Sequence, residues 1–294
     1  MTGGLRSIWI VRHGERVDNI DPSWRQNPPR GAWDDPTLSA RGHQQAREVG
    51  AQLAKQHERI DHVFVSPFTR TVQTANGILE EIERANPEIY RNTGVPKMNL
   101  EPGFSESLHV CQATPGHLSP EELKAQFPRI DLTYKPFHTK HYVETTSMCC
   151  QKRISQTLEH VLSNYSGNIL IVSHGSPIGA CHVALSGKYS YVGQCTISKY
   201  RVHEHNDNPT DNRENEEEVD KVARDWMVLS DKYLFKPHCI GDSSHLSDRT
   251  NLRDKESRSA LLIMQKLLSL PLRSTFDKLH NINPEPITHG IAGH

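Results

Sequence analysis

Three short apolar runs, each broken off at its C-terminal end by charged or small polar residues, limit most strongly how this chain can fold. They are Ile8 to Val11 in "IWIVRHGERVDNI", Val63 to Val65 in "HVFVSPFTRTVQTANGIL", and Ile169 to Val172 in "NILIVSHGSPIGACHVAL". The runs are continuous, not alternating, and rich in β-branched residues, which suits strands covered on both faces. Between them the pattern changes to a helical period. Helices are predicted from Ser39 to about Gln56, from Thr69 to about Glu83, and from about Val143 to Asn164, where Ile154, Leu158, Val161 and Leu162 keep helical spacing. Ser66 reads as the N-cap of the second helix and Pro67 as its first residue, so Arg70 falls in the first turn. Strands alternating with helices predict an α/β fold of three layers, α/β/α, around a mostly parallel sheet. Ligands of such sheets bind beyond the carboxyl ends of the strands, so Arg12, His13, Arg70 and His174 are expected at one edge.

The pattern weakens after about His203. A main domain is expected over residues 1–229, including an acidic solvated loop at 204–220, "EHNDNPTDNRENEEEVD". Residues 230–294 are expected to form a C-terminal extension with a helix near 255–269, marked by Ala260, Ile263 and Leu267. Within Ser119 to Pro136, "SPEELKAQF" predicts a short helix in an excursion that covers the site. No apolar stretch approaches the ~18 residues needed to span a bilayer. The N-terminal run is too short for a signal peptide, and a cytoplasmic protein is expected. A formal net charge of -1 provides no basic field for nucleic acid. The six cysteines contain no C-x-x-C pair, so reduced and mostly buried thiols are expected. His289 and His294 near the end lack carboxylate or cysteine partners and read as solvated, not as metal ligands.

A site that attacks a phosphate monoester must offset a dianion and supply a nucleophile. Arg12, Arg16 and Arg70 bring forked, permanently charged donors. Neighbouring arginines keep an imidazole neutral, and a neutral imidazole can attack phosphorus, which makes His13 the candidate nucleophile. His174 is placed to donate to the charge that grows in the transition state. Glu106, in "LEPGFSESL", is the candidate to carry a proton to the departing oxygen. Nothing in this set calls for a metal or cofactor.

"VRHGERVD", "SPFTRTVQTA", "EPGFSE" and "VSHGSP", in that order, resemble the histidine phosphatase superfamily, branch 1, also called phosphoglycerate-mutase-like. Within it the chain is most similar to the group of Sts phosphatase domains and ecdysteroid-phosphate phosphatases. The resemblance implies a phosphoglycerate-mutase-like fold and a phosphohistidine formed on His13. It further implies a phosphate pocket of Arg12, Arg16, Arg70 and His174, and Glu106 acting first as acid and then as base. Arg16 stands where mutases usually carry a small or amide side chain, which favours the phosphatases. Gly175 after His174, where the histidine acid phosphatases have aspartate, points to the first branch. Ser107 departs from the group's aromatic residue. The expected activity is metal-independent hydrolysis of a phosphomonoester, either a phosphotyrosine protein or a steroid or other small-molecule phosphate. A catalytically weak scaffold that binds phospho-ligands and, less favoured, a phosphoglycerate mutase stay open. A homodimer is implied by the group, with neither nucleic acid nor membrane as partner. Because the first motif lies so near residue 1, no ubiquitin-associated or SH3 module is expected ahead of it.

Overall fold

The three apolar runs form the interior of one sheet, in a computed structural model that describes residues 6–139, 143–204 and 233–254. In chain order the strands are β1 (Arg6–Arg12), β2 (His62–Val65), β3 (Met98–Leu100), β4 (Ile169–Ser173), β5 (Ile197–Glu204) and β6 (Tyr233–Asp242). The helices are α1 (Val17–Ile20), α2 (Ala40–Ala54), α3 (Thr69–Ala85), α4 (Pro87–Tyr90), α5 (Pro120–Gln126), α6 (Ser147–Asn164) and α7 (Gly175–Ser186). The six strands lie in the order β3-β2-β4-β1-β5-β6. The first four are mutually parallel; β5 adds antiparallel to β1, and β6 adds antiparallel to β5 at the edge.

Alternate residues of each central strand enter opposite layers, as the two-residue period of a strand requires. Trp9, Val11, Val63, Val65, Leu170 and Val172 pack against Val49 and Leu53 of α2 and Val72, Ile78 and Leu79 of α3. Ile8, Ile10, Phe64, Ile169 and Ile171 pack against Ile154, Leu158 and Val161 of α6 and Ile178 and Leu185 of α7. Each fully buried aliphatic side chain contributes about 1.5–3 kcal/mol, so both faces hold the sheet. This is the three-layer α/β/α arrangement read from the sequence.

The register fixes where the loops leave. Val11 lies opposite Val172, Val172 opposite Val65, and Val65 opposite Leu100, so the four parallel strands end level with one another. Arg12, Ser173, Ser66 and Glu101 therefore follow in one row, with His13 and His174 a residue further on. The loop after β3 carries Glu106 to the same edge.

Three expectations need correction. The sheet does not end before residue 230: β6 pairs with β5 from Glu204↔Tyr233 to Ile197↔Asp242, so part of the supposed extension is a strand of the main sheet. Leu246 and Leu252 beyond it also enter the core. The sequence obscured this strand because only one side of it is covered and Pro237 and several polar residues interrupt it. Ser66 is not a cap: α3 starts at Thr69 with Phe68 as N-cap, and Asp35 accepts from the Thr69 amide and hydroxyl, both at 2.7 Å. The third predicted helix starts at Ser147, not near Val143. By contrast "SPEELKAQF" forms α5, with Ser119 and Glu122 in a reciprocal capping box. Most of the acidic stretch and the helix expected near 255–269 lie outside the described residues, as do His289 and His294. Among the described residues no helix is long and apolar enough to cross a membrane. The six cysteines are free; Cys150, Cys181 and Cys195 are buried and Cys111, Cys149 and Cys239 half-buried.

The loop after β1 is clamped to the first turn of α2. Ser39 caps α2 through the Gly42 amide at 3.0 Å and donates its hydroxyl to Glu15 Oε2 at 2.7 Å, while Glu15 N–H donates to Gln45 Oε1 at 2.9 Å. This approach requires glycine at 42, because a Cβ there would lie 2.1 Å from the Glu15 carbonyl oxygen. Although alanine is the better helix former, Gly42→Ala is expected to destabilise the fold by about 2–3 kcal/mol, the scale of an overpacked core. Urea unfolding checks this; exposed Gln44→Ala on the same helix is expected to stay within about 0.5 kcal/mol of the parent.

Candidate active site

His13 is the residue just past β1 and is 1% exposed. Its amide donates to the Ser173 carbonyl at 3.0 Å, which ties it to the end of β4. Its Nδ1 lies 2.8 Å from the Gly14 carbonyl oxygen, an acceptor only, so Nδ1 carries the ring proton. In the neutral ring Nε2 then holds the free lone pair. Burial, and then the charges of Arg70, Arg12 and Arg16, keep the His13 pKa well below the ordinary imidazole value.

His174 ends the loop after β4 and is the N-cap of α7. Its ring meets that of His13 edge-on, with centroids 5.3 Å apart, and that of Phe68 at 5.2 Å. Burial first, then Arg70 and the other neighbours, depress its pKa well below the usual value. Its Nε2 pairs with the Ser66 hydroxyl at 2.7 Å. With Ser66 donating, the proton of His174 sits on Nδ1, 3.6 Å from Glu106 Oε2. The sequence pattern read Ser66 as a cap because Ser-Pro after a strand is a helix-start signal; its partner is over a hundred residues away and left no local trace.

Arg70 stands in the first turn of α3, as predicted, and is 1% exposed. Its Nη1 donates to the Asp34 carbonyl at 2.9 Å, and its guanidinium lies 4.5 Å from the centre of the Phe68 ring. Its Nη2 is 3.8 Å from Glu106 Oε2. Burial, with the charge of Arg16, lowers the Arg70 pKa to about 10, so the group stays cationic at neutral pH. Arg12 is fixed from the other side: its Nη1 donates to the Val192 carbonyl at 2.9 Å, and its guanidinium lies 5.0 Å from the centre of the Tyr191 ring. Arg16 is held by Asp18 through Nε and Nη2, each at 2.8 Å. The Nε atoms of Arg12 and Arg70 and Nδ1 of His174 are buried and make no hydrogen bond among the described residues.

The six sequence-predicted residues thus assemble at one edge of the sheet, with His13, His174, Glu106 and Arg70 linked through successive contacts. A pocket of about 210 Å³ opens beside them, lined by Arg16, Arg70 and Glu106 together with Arg25, Trp33, Asp34, Pro36, Val110 and Cys111. Arg25 was not singled out from the sequence, where "VDNIDPSWRQ" shows no basic cluster. It reaches the pocket because Asp18 holds both Arg16 and, at 3.0 Å, Arg25. Trp33 and Val110 are 37% and 53% exposed, so the pocket mouth has an apolar wall. Among the described residues no group of three or more His, Cys, Asp or Glu side chains is placed to hold a metal ion.

Residues 8–206 match the model of the histidine phosphatase superfamily (branch 1). The chain is 30% identical over 212 residues to an ecdysteroid-phosphate phosphatase of Drosophila melanogaster, a match covering 62% of this chain and 27% of that protein. It is 32% identical over 220 residues to the human ubiquitin-associated and SH3 domain-containing protein A, covering 63% of this chain and 32% of the relative. The match thus spans about a third or less of these relatives' length. The crystal structure of the ecdysone phosphate phosphatase of Bombyx mori in complex with tungstate shares the fold, with a TM-score of 0.52 at 24% identity over 67% of this chain and 89% of that one.

The electrostatics have a direct consequence in solution. Nitrogen-15 NMR of the free protein is expected to show His13 as the neutral Nδ1–H tautomer, with both His13 and His174 still neutral at pH values where an ordinary imidazole is half charged. Arg70→Gln removes a charge that opposes protonation of both rings and is expected to raise both pKa values. An Nε2–H tautomer at His13, or titration at the ordinary value, contradicts this geometry.

Proposed function

We propose, starting from the fact that the chain belongs to branch 1 of the histidine phosphatase superfamily, that it is a phosphomonoester hydrolase working through a phosphohistidine. The observation that carries this reading is the state of His13: a buried imidazole with its Nδ1 proton committed to the Gly14 carbonyl, its Nε2 lone pair free, and arginine charges around it. In the first step Nε2 attacks phosphorus and the bond from phosphorus to the leaving oxygen breaks. Glu106, entering the step protonated, delivers its proton to that oxygen. Arg12, Arg16 and Arg70 bind the phosphoryl oxygens, and His174 donates from Nδ1 to the charge that develops on them. In the second step Glu106, now a carboxylate, takes a proton from water. The water oxygen bonds to phosphorus, the P–Nε2 bond breaks, and inorganic phosphate leaves with His13 neutral again.

The substrate reading follows from the pocket mouth. Trp33, Pro36 and Val110 offer an apolar surface to the group beyond the phosphate. This suits an aromatic or steroid-like leaving group, such as the phosphotyrosine of a protein or a small steroid phosphate, better than the hydrophilic phosphoglycerates. The Drosophila relative, an ecdysteroid-phosphate phosphatase, supports the steroid phosphate within this class.

The test is a panel of phosphotyrosine peptide, a steroid phosphate and 3-phosphoglycerate, following both free phosphate and phosphoryl exchange. Release from the first two is expected. Exchange between phosphoglycerates without release makes the chain a mutase, and tight binding with neither makes it a scaffold. Because arginines and histidines supply the charge compensation, EDTA is expected to leave the rate unchanged. Arg70→Ala is expected to lower the rate about a hundredfold or more, the scale of losing one preorganised donor. Arg70→Lys is expected to recover only part of this, for lack of the planar fork.

A further inference from the structure

Glu106 reaches the pocket from a loop, and one buried guanidinium holds three carbonyls of that loop, including that of Glu106 itself. Arg153 of α6 donates from Nη1 to the carbonyls of Gly103 and Ser105, at 2.7 and 3.0 Å, and from Nη2 to the carbonyl of Glu106 itself at 3.0 Å. The same guanidinium is paired with Glu144 through Nε at 2.7 Å and Nη2 at 3.2 Å. Glu144 closes the arrangement by accepting from the Leu108 amide at 2.7 Å. The ion pair therefore grips the backbone on both sides of residue 106. Its members expose only 6% and 3% of their side chains, and neither lines the pocket. The loop also lies directly on α6, since a Cβ at Gly103 would come within 2.2 Å of Thr157 Oγ1.

Stability alone is a weak explanation for such a pair, because a buried ion pair can often be replaced by apolar residues of similar volume without loss. What a single guanidinium does here, and an apolar side chain cannot, is hold three carbonyls of one loop, those of residues 103, 105 and 106, by directed bonds. A proton donor needs that: displacement of a reacting group by about 1 Å costs on the order of 10² in rate. A catalytic side chain on a loop depends on the rigidity of what lies behind it. The negative charge of Glu144 also balances Arg153.

We propose that Arg153, oriented by Glu144, is the positioning residue that sets Glu106 for proton transfer to the leaving oxygen; this rests on the hydrolase reading above. Arg153 acts only through Glu106, so its loss affects substrates in proportion to their need for a proton donor. Phenyl phosphate needs one, whereas 4-nitrophenyl phosphate, with its far better leaving group, needs it much less.

The experiment compares kcat/KM, which reports the step that forms the phosphoenzyme, for these two esters in wild type, Arg153→Lys, Glu106→Gln and the double variant. Arg153→Lys is expected to lower kcat/KM for phenyl phosphate about tenfold more than for 4-nitrophenyl phosphate, as imprecise placement of an acid predicts. Inhibition by inorganic phosphate, which reads the arginine pocket, is expected to change less than about twofold, and Arg153→Lys in the Glu106→Gln background to add less than about twofold, the signature of two residues acting as one unit. Equal losses for both esters, additive effects in the double variant, or weakened phosphate inhibition would overturn the proposal and leave Arg153 a structural residue. If Arg153→Lys fails to fold, the same comparisons on Glu144→Gln decide with the same criteria. A wild-type protein that hydrolyses neither ester brings down the hydrolase reading, and this inference with it.

Discussion

The level register of β1, β4, β2 and β3 governs the rest of the molecule. Val11, Val172, Val65 and Leu100 lie across one row of parallel strands, and the apolar side chains on both faces cannot leave the core without exposing it. Parallel strands all run out in the same direction, so the residues that follow them emerge at one edge. His13, Ser66, Glu106 and His174 meet there although more than 150 residues separate the first from the last. Site assembly is in this sense a consequence of core packing.

What gathers at that edge is unfavourable by itself. Two buried imidazoles lie among three guanidinium groups, and burial with like charge lowers the pKa of both histidines and of Arg70. The cations are kept in place by fixed acceptors: the Asp34 carbonyl for Arg70, the Val192 carbonyl for Arg12, and the Asp18 carboxylate for Arg16. A dianion entering such a site meets donors that need little rearrangement, which is the condition under which electrostatic stabilisation is strongest. The same charges, with burial, oppose protonation of His13. In the proposed reaction, placement of Arg12, Arg16 and Arg70 thus serves two requirements, binding of phosphate and a free lone pair on His13.

Features that depend on local pattern were legible in the sequence. The apolar runs marked β1, β2 and β4, helical spacing marked α2, α3 and α6, and the polar junctions after the strands marked His13, Arg70 and His174. Glu106 was found from its motif. The features that escaped are set by distant partners or by weak local signals. The three residues of β3 are too few to show a period. Strand β6 is an interrupted edge strand, readable only once β5 is there to pair with it. Ser66 looked like a cap until His174 was beside it, and Asp35 took over the role of capping α3 from outside the helix. Arg25 reaches the pocket from the segment after β1, held there by Asp18, and Arg153 looks in sequence like any polar residue on an amphipathic helix. A buried guanidinium bonded to three carbonyls cannot be distinguished from an exposed one by spacing alone.

The central claim is that His13 is a neutral nucleophile which becomes covalently phosphorylated. The most direct measurement is rapid quenching of the protein during turnover of a labelled phosphomonoester, followed by peptide mapping in alkali. The account predicts label on His13, stable in alkali, lost in acid, and absent from the folded His13→Ala protein, which should also lose turnover. Undiminished hydrolysis by His13→Ala, or label on a residue other than His13, would contradict it.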